Sequence, residues 1–537
     1  MNPSMLKNRF LLVVLILIGL SIGVFSISEN WFIDFIIKQI SLESGPEKKH
    51  LANLLNSAFV IKLKSLLVVL LLLIGVIFRY FKNVTSSFRA EYSLFASSIS
   101  HSTTGKFYFY LKIVIVLIAI IGVFLIGNIP VNTDETYCYE YFTSRNPLIS
   151  LTSYPAPNNH ILFSYISSVI HLLVPWKLYA LRLPSLLFSL TNIFILAFYL
   201  KRNHNNYVIA ASLILILGSF YPLFYALQGR GYALYLLLTT VFTILIIDIW
   251  NKKEFRFPIT FIVISILGFY TIPTFLYPFL FFFVTLLFII PFSKLLKIGI
   301  YIGLGILLLY LPIIVLFDID NLINNDFIKP IGISDILVKY PDFISSLIKN
   351  FFPIFMLFII SIAGIKHKNI TSNLFVGLVL FTILLPLIYH KFPPNRTLLY
   401  LFPISTIVAC DIIDKRKWLI YIVPLLLIIN VNNIRENFTA FYKFSNSAKE
   451  ISNNAKSNNY NSIYVLDGPR SFYKWHNLGD FQFSLYRDPL NNMLLNDSKY
   501  VFISMYRHEE INMNQYEILS KNDYFRLFRL IPQINAK

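Results

Sequence analysis

Long apolar runs constrain the fold of this chain more than any other feature of its sequence. Runs such as 10–27, 110–129 and 232–250 hold no or very few charged residues. Each approaches the ~20 residues that an α-helix needs to cross the hydrocarbon core of a bilayer. Charged residues make up only 14% of the chain, against about 25% in a soluble domain. The sequence therefore predicts an all-α polytopic membrane protein.

Taken in order, the apolar runs predict about 13 transmembrane helices. They cover residues 10–27, 60–80, 110–129, 181–200, 207–227, 232–250, 257–273, 274–292, 298–317, 344–365, 374–389, 397–413 and 418–431. The first run follows Lys7 and Arg9 and could be a cleaved signal peptide. Its length and the lack of an A-x-A site after it favour a retained helix.

The net charge of +19 is explained by the positive-inside rule. If the N-terminus is cytosolic, every second connection is cytosolic, and each of these connections is basic. The basic residues there include Arg79, Lys82, Arg89, Lys106, Lys201, Arg202, Lys252, Lys253, Arg256, Lys294, Lys297, Lys366, Lys368, Lys415, Arg416 and Lys417. Nucleic-acid binding is disfavoured because the chain has no basic tail. We expect a multi-pass protein of the cytoplasmic membrane with a cytosolic N-terminus.

The connections that this topology places outside include residues 129–181, 228–231, 318–343 and 389–396. In the first of them, residues 158–176 carry Ser and His side chains at helical spacing. They predict an amphipathic helix in the outer interface, with a spanning helix as the alternative. The polar loop 318–343 could close over an outer site as a lid.

After residue 431 the chain becomes polar, and about 105 residues remain, enough for one small domain. Residues 462–468 and 499–505 predict buried strands, and 516–530 predicts a hairpin. We therefore expect a small extracytoplasmic α/β domain. The predicted domains are an N-terminal transmembrane hairpin with its cytosolic loop (1–108), a transmembrane catalytic domain (109–431) and the outer domain (432–537).

Four basic residues violate the positive-inside rule because the topology puts them at the outer surface. They are Arg182, Arg230, Lys391 and Arg396, and His160 and His390 lie near them in the sequence. One interpretation is contact with lipid headgroups or a salt bridge. The other is a site for an anionic lipid phosphate, which an Arg side chain binds with a fork of donors.

Asp134 and Glu135 are adjacent acids in a chain that has only 27 acidic residues. Thr133 could be the N-cap of a helix with both acids in its first turn, which needs no catalytic role. Alternatively, the carboxylates serve catalysis at the outer face. Neighbouring residues of a helix do not face the same way, so at most one acid points into a given site. The two cysteines, Cys138 and Cys410, form neither a disulfide framework nor a metal-binding cluster.

Five short segments, in order, resemble the membrane glycosyltransferases of the GT-C fold, and most closely glycosyltransferase family 39. That family includes the protein O-mannosyltransferases and the lipid A 4-amino-4-deoxyarabinose transferase. "DETYCYEYF" resembles its acidic motif, and "PAPNNHILFSYI" its His-Pro-Pro-Leu turn, although His160 here follows two Asn and precedes Ile. "LRLPSLLFSL", "QGRGYALYLLL" and "NRTLLYLFPI" resemble three later helix starts. The resemblance covers residues 110–415 and implies the GT-C fold.

The resemblance also implies a reaction. A sugar would pass from a polyprenyl-phosphate donor to a glycan, lipid or protein acceptor, with inversion at the anomeric carbon. Asp134 matches the position proposed as general base, and Glu135 would position the acceptor or support Asp134. Tyr137 and His160 would shape the site.

The leaving phosphate would be bound by cations. Arg230 and Arg396 fit this role, with Lys391 and Arg182 as further candidates. No cofactor is required, although a divalent metal could share the carboxylates. No nucleotide-binding loop occurs, and nucleic acid is not an expected partner.

Three other functions remain open from the sequence. A secondary transporter would carry ionisable groups near the bilayer midplane, whereas Asp248, Asp411 and Asp414 lie at the ends of apolar runs. A polysaccharide polymerase or ligase also uses outer arginines, but an acidic pair after a helix is not its obvious hallmark. A non-catalytic relative is the third.

Overall fold

Helices account for most of the chain up to residue 458. The computed structural model describes residues 105–154, 159–317, 330–363 and 369–458, five strands and Tyr524 between 462 and 530, and short stretches between 19 and 93. From residue 105 onward, the α-helices are α1 (Lys106–Asn128), α2 (Thr133–Cys138), α3 (Pro147–Thr152), α4 (Ile161–Leu173), α5 (Lys177–Leu200), α6 (Asn206–Leu217), α7 (Phe220–Leu227), α8 (Tyr232–Lys252), α9 (Pro258–Thr271), α10 (Leu276–Leu286), α11 (Phe292–Phe317), α12 (Ile333–Asn350), α13 (Phe352–Ala363), α14 (Ile370–Tyr389), α15 (Leu401–Lys415) and α16 (Val423–Ser457). A π-helix (Tyr139–Thr143) follows α2, and 3-10 helices occupy Pro273–Phe275, Asn395–Tyr400 and Lys417–Tyr421.

Six of the described helices are long and apolar enough to cross a membrane: α1, α5, α8, α11, α14, and the continuous segment Asn395–Lys415 that ends in α15. Two further pairs, α6 with α7 and α12 with α13, pass the same test but bend by 77° and 97°. They raise the number to eight if each pair is one span. The protein is therefore a polytopic helical membrane protein. The predicted spans 10–27 and 60–80 lie wholly or mostly outside the described residues, so the total of about 13 stays a prediction.

The helices differ in how much of their surface the protein covers. In Asn395–Lys415, 83% of the apolar window is buried, and in α8 72%, whereas α1 has only 11%. The buried aromatic rings of Tyr235, Phe242 and Tyr400 belong to the same large core as α8 and α15. The segment Asn395–Lys415 and α8 therefore form the centre of the bundle, and α1 turns an apolar surface outward.

The helix predicted at 158–176 is present, but it is short. Helix α4 has 13 residues, about 20 Å at 1.5 Å per residue, which is less than the ~30 Å of a bilayer core. Its serines face the protein: the hydroxyl of Ser167 donates to the carbonyl of Ala180 at 3.1 Å and lies 3.0 Å from that of Thr143. Its place in the outer interface stays a prediction.

The prediction of a polar loop over 318–343 is wrong for its second part, because helix α12 begins at Ile333. Residues 318–329 lie outside the described residues. Ile336, Phe343 and Leu347 recur at helical spacing and are buried, so one side of α12 packs on the protein. Leu337 remains 60% exposed on a neighbouring face. A helix apolar on more than its protein-facing side is typical of the membrane interface.

A cluster of ionisable groups joins three helix ends. His204, between α5 and α6, lies 3.1 Å from a carboxylate oxygen of Asp411 through Nε2 and 3.1 Å from Asp414 through Nδ1. The other oxygen of Asp411 accepts a hydrogen bond from Asn369, before α14, at 2.9 Å. The hydrogen bond with Asp411, followed by that with Asp414, raises the pKa of His204 above its usual 6.5, against the effect of burial.

This cluster predicts a pH-dependent stability. Because the pKa of His204 is higher in the folded state, its contribution is complete below about pH 6.5 and is lost as the pH rises through the folded pKa. The thermal midpoint in detergent should therefore fall as the pH rises above about 6.5, and His204→Gln should flatten this dependence. His171→Gln, outside the cluster, is the control. Equal pH dependence in wild type and His204→Gln would contradict the assignment.

A mixed sheet lies between residues 462 and 530. Its strands are β1 (Ser462–Val465), β2 (Gln482–Leu485), β3 (Val501–Met505), β4 (Tyr516–Lys521) and β5 (Phe525–Leu530). The order is β2-β1-β3-β5-β4. β1 pairs in parallel with β2 and β3, and β5 pairs antiparallel with β3 and β4. Strands lie in all three predicted segments, and β4 with β5 form the predicted hairpin, whereas β2 was not predicted.

By its internal contacts, the chain divides into two compact units. One comprises Met1–Ile126 and Phe142–Asn430, and the other Gly127–Tyr141 and Val431–Lys537. The assignment of residues 432–537 to an outer α/β domain, like the other domain boundaries, stays a prediction.

Candidate functional site

The turn between α7 and α8 holds a buried arginine. Arg230 is only 1% exposed, and its backbone is fixed on both sides. Its N–H donates to the carbonyl of Gln228 at 2.8 Å, and its carbonyl accepts from the hydroxyl of Ser185 on α5 at 3.2 Å. A Cβ at Gly229 would lie 2.2 Å from Leu181, so this close approach requires glycine.

His160 fixes the other end of this turn. Its Nδ1 accepts a hydrogen bond from the N–H of Gly231 at 2.8 Å, and its ring meets that of Tyr232 edge to face at 4.7 Å. Burial, and then the charges of Arg230 and Arg396, hold the pKa of His160 well below its usual value. The imidazole is therefore neutral at physiological pH, with its proton on Nε2. His160 acts here as an acceptor that holds the turn of Arg230.

Arg396 comes from a second turn, residues 390–396, which leads from α14 into the 3-10 helix Asn395–Tyr400. His390 closes α14 in a left-handed conformation, with φ of 55°, and two prolines follow. Arg396 is half-buried. The guanidinium groups of Arg230 and Arg396 both lie within electrostatic range of His160 and of the Tyr225 hydroxyl. The structure thus brings together two of the four predicted cations, from turns far apart in the sequence.

The other two predicted cations are placed differently. Arg182, on α5, is fully buried and donates from one terminal nitrogen to the carbonyl of Ile126, in the last turn of α1, at 2.8 Å. This contact ties α5 to α1. Lys391 is half-buried on the same turn as Arg396. A part for Arg182 and Lys391 in donor binding stays a prediction.

The acidic pair begins helix α2, in the second unit. The N-cap is Asn132. The sequence had suggested Thr133, the next residue. The side chain of Asn132 accepts from the N–H of Glu135 at 2.7 Å, and the carboxylate of Glu135 accepts from the N–H of Asn132 at 3.3 Å. Both residue types cap helices well, but only Asn132 stands three residues before an acid, as a capping box requires.

The two acids of the pair therefore differ in their surroundings. Glu135 is fully buried and engaged in the cap, whereas Asp134 is half-buried in the first turn. Tyr137, on the same helix, packs against Tyr141 with ring centroids 4.4 Å apart. The capping interpretation holds for Glu135, and the cap itself does not use the carboxylate of Asp134.

Substitutions at Glu135 separate its capping role from a role in a reaction. Glu135→Ala removes the side chain that accepts from the N–H of Asn132 and should cost about 0.5–1.5 kcal/mol of stability, the usual net contribution of one hydrogen bond. Glu135→Gln can keep the box, so its thermal midpoint should stay near that of the wild type. If Glu135→Gln folds normally but reacts slowly, the carboxylate also serves the reaction. A Glu135→Ala protein as stable as the wild type would contradict the capping assignment.

Sequence reasoning missed three residues of this region: Tyr225, Ser185 and Asn395. Tyr225 is buried against Tyr232 at 4.3 Å. Asn395 directly precedes Arg396, and an amide next to a candidate phosphate-binding arginine in a proline-rich turn was the available signal. Within the described part of the chain, no three His, Cys, Asp or Glu side chains are grouped so that they could hold a metal ion.

The described helices have the GT-C fold that the sequence motifs predicted, as a comparison with solved structures shows. Among solved structures, the chain is similar to the crystal structure of ArnT from Cupriavidus metallidurans in the apo state, with a TM-score of 0.52 and 10% identity. The match covers 78% of this chain and 97% of ArnT. Neither the comparison with family models nor that with curated proteins found a match. The likeness shows the fold alone.

Proposed function

We propose that this protein is an inverting glycosyltransferase that moves a sugar from a polyprenyl-phosphate donor to an acceptor on the outer face of the cytoplasmic membrane. The N-terminus is then cytosolic and the sheet after residue 462 is extracytoplasmic. About 13 helices cross the membrane in this arrangement.

The observation that carries the proposal is the convergence of Arg230 and Arg396 near one buried, neutral histidine. Two guanidinium groups that both act on one buried histidine create positive potential there, and such potential attracts an anion. Both turns lie in a protein with the GT-C fold. A lipid-linked phosphate is an anion that reaches such a place from within the membrane.

The reaction assigns a role to each group. The acceptor hydroxyl or amine attacks the anomeric carbon, and the bond from that carbon to the phosphate oxygen breaks. Asp134 takes the proton of the acceptor, and polyprenyl phosphate leaves with the bonding electrons. Arg230 and Arg396 stabilise the charge that grows on this phosphate. Attack from the side opposite the leaving group inverts the anomeric centre.

The remaining assignments of the proposal rest on the sequence. Glu135 and Tyr137 would help to place the acceptor, and Lys391 and Arg182 would add positive potential near the phosphate. The reaction as written requires no cofactor, and a divalent ion could share the carboxylates. Activity before and after treatment with a chelator tests that point.

The proposal is tested with purified protein in proteoliposomes and a panel of labelled polyprenyl-phosphate sugars. We expect one donor to be consumed, and its sugar to appear on an added glycan, lipid or peptide acceptor. A comparison without acceptor separates transfer from hydrolysis. If no donor is consumed while a solute crosses the vesicle membrane, the protein is a transporter and the proposal fails.

A further inference from the structure

Helix α12 and the residues directly before it pack against the turn that carries Arg396. The N–H of Ile331, just before α12, donates to the carbonyl of His390 at 2.9 Å. The rings of Phe343 and Phe392 pack with centroids 5.2 Å apart. Near the end of the turn, the amide nitrogen of Asn395 donates to the hydroxyl of Ser346 at 3.0 Å. The contacts of His390, Phe392 and Asn395 therefore all come from α12 or from Ile331 just before it.

Helix α12 is itself a firm support. Its Phe343 and Leu347 side chains are buried, and the hydroxyl of Tyr340 donates to the carbonyl of Ile383 on α14 at 2.7 Å. The side chain of Asn350 donates to the carbonyl of Ser346 at 2.9 Å and lies 3.1 Å from its hydroxyl. The hydroxyl that Asn395 meets is thus held in place on its own helix.

Asn395 also lies near the helix that leads into the other cationic turn. Its side chain is close enough to the hydroxyl of Tyr221 on α7 to interact with it, and α7 ends directly before the turn of Arg230. Tyr221 in turn stacks on Phe351, at the bend after α12, with ring centroids 5.3 Å apart. The side chain of Asn395, the residue directly before Arg396, therefore lies against both α12 and α7.

We propose that Asn395 is a positioning residue for the donor phosphate: its hydrogen bond to Ser346 and its proximity to Tyr221 fix the turn of Arg396 relative to the turn of Arg230, so that both guanidinium groups can bind one phosphate. This inference rests on the proposed function. Asn395 touches neither the reacting carbon nor the proton that moves. Its effect is on how well the two guanidinium groups are pre-arranged, and a small misplacement of such groups weakens binding and slows the reaction.

The test is the direct binding of polyprenyl phosphate to the purified full-length protein. Asn395→Ala should raise the Kd about tenfold, which corresponds to about 1.4 kcal/mol. Ser346→Ala should raise it less, and Ser346→Thr, which keeps a hydroxyl, should bind like the wild type. In the double variant, Ser346→Ala should add little to Asn395→Ala, because both remove the same hydrogen bond.

Asn350→Ala is the matched control. It removes an amide that bonds the same serine but not the turn, so it should raise the Kd much less than Asn395→Ala does. Equal losses in Asn350→Ala and Asn395→Ala would show a general effect on α12 and overturn the inference. So would a wild-type Kd in Asn395→Ala. If Arg396→Gln also binds like the wild type, the proposed function itself fails, whereas loss in Arg396→Gln alone overturns only the role of Asn395.

Discussion

Asp134→Asn should reduce sugar transfer by about two to four orders of magnitude, the contribution of a well-placed general base. The amide has nearly the same shape as the carboxylate but cannot take up the acceptor proton. The helix should still form, because its capping box is made by Asn132 and Glu135. The measurement is the initial rate of transfer at saturating donor, together with the thermal midpoint and the Kd for polyprenyl phosphate.

A matched control exists on another helix. Asp335 lies in the first turn of α12 and is exposed, so Asp335→Asn removes an equivalent first-turn charge. The Asp335→Asn protein should transfer sugar at the rate of the wild type. Full activity in Asp134→Asn would contradict the base assignment. A poorly folded Asp134→Asn protein would instead favour a role in helix stability, through the interaction of an acid with the helix dipole.

Replacing either converging arginine should have the second large effect. Arg230→Gln or Arg396→Gln should lower the transfer rate about 10²- to 10³-fold, the usual cost of losing one donor to a developing negative charge. The Lys variants should recover part of this loss, because they restore the charge but not the fork of donors.

The control for the arginine variants is Arg202→Gln, on the connection between α5 and α6. It removes an exposed guanidinium from a turn not assigned to the site and should leave transfer unchanged. Each variant is compared for its Kd for polyprenyl phosphate. Arg230→Gln and Arg396→Gln proteins that bind and react like the wild type would show that the two turns do not form a phosphate site.

The class of protein and its fold were predictable because they depend on the average hydropathy of long segments and on short motifs. Runs of about 20 apolar residues are read without knowledge of tertiary packing. The bends were not predictable from such runs. Residues 207–227 form one apolar run, yet the chain turns by 77° between α6 and α7, near Gly218 and Ser219. The first part of α12, residues 333–343, was predicted as a loop because the exposed Lys and Asp residues between its buried positions resemble those of a loop.

The candidate site was predictable only in part, for a physical reason. The sequence distinguished Arg230 and Arg396 because the predicted topology places these two basic residues at the outer face, against the positive-inside rule. Their convergence on His160 depends on tertiary contacts between segments distant in sequence. Asn395 is an ordinary polar residue in a turn, and only its partners on α7 and α12 distinguish it. Similarly, Thr133 and Asn132 are both good N-caps, and the choice between them depends on where the helix starts by a single residue.

The most direct test of glycosyl transfer from a lipid phosphate follows the phosphorus atom. A polyprenyl-phosphate sugar is a phosphodiester, and its lipid product is a monoester, so ³¹P NMR of proteoliposomes distinguishes them. We predict that the wild-type protein, given donor and acceptor, converts the diester to the monoester with one sugar transferred per phosphate released. An unchanged diester signal with every donor offered would contradict the account.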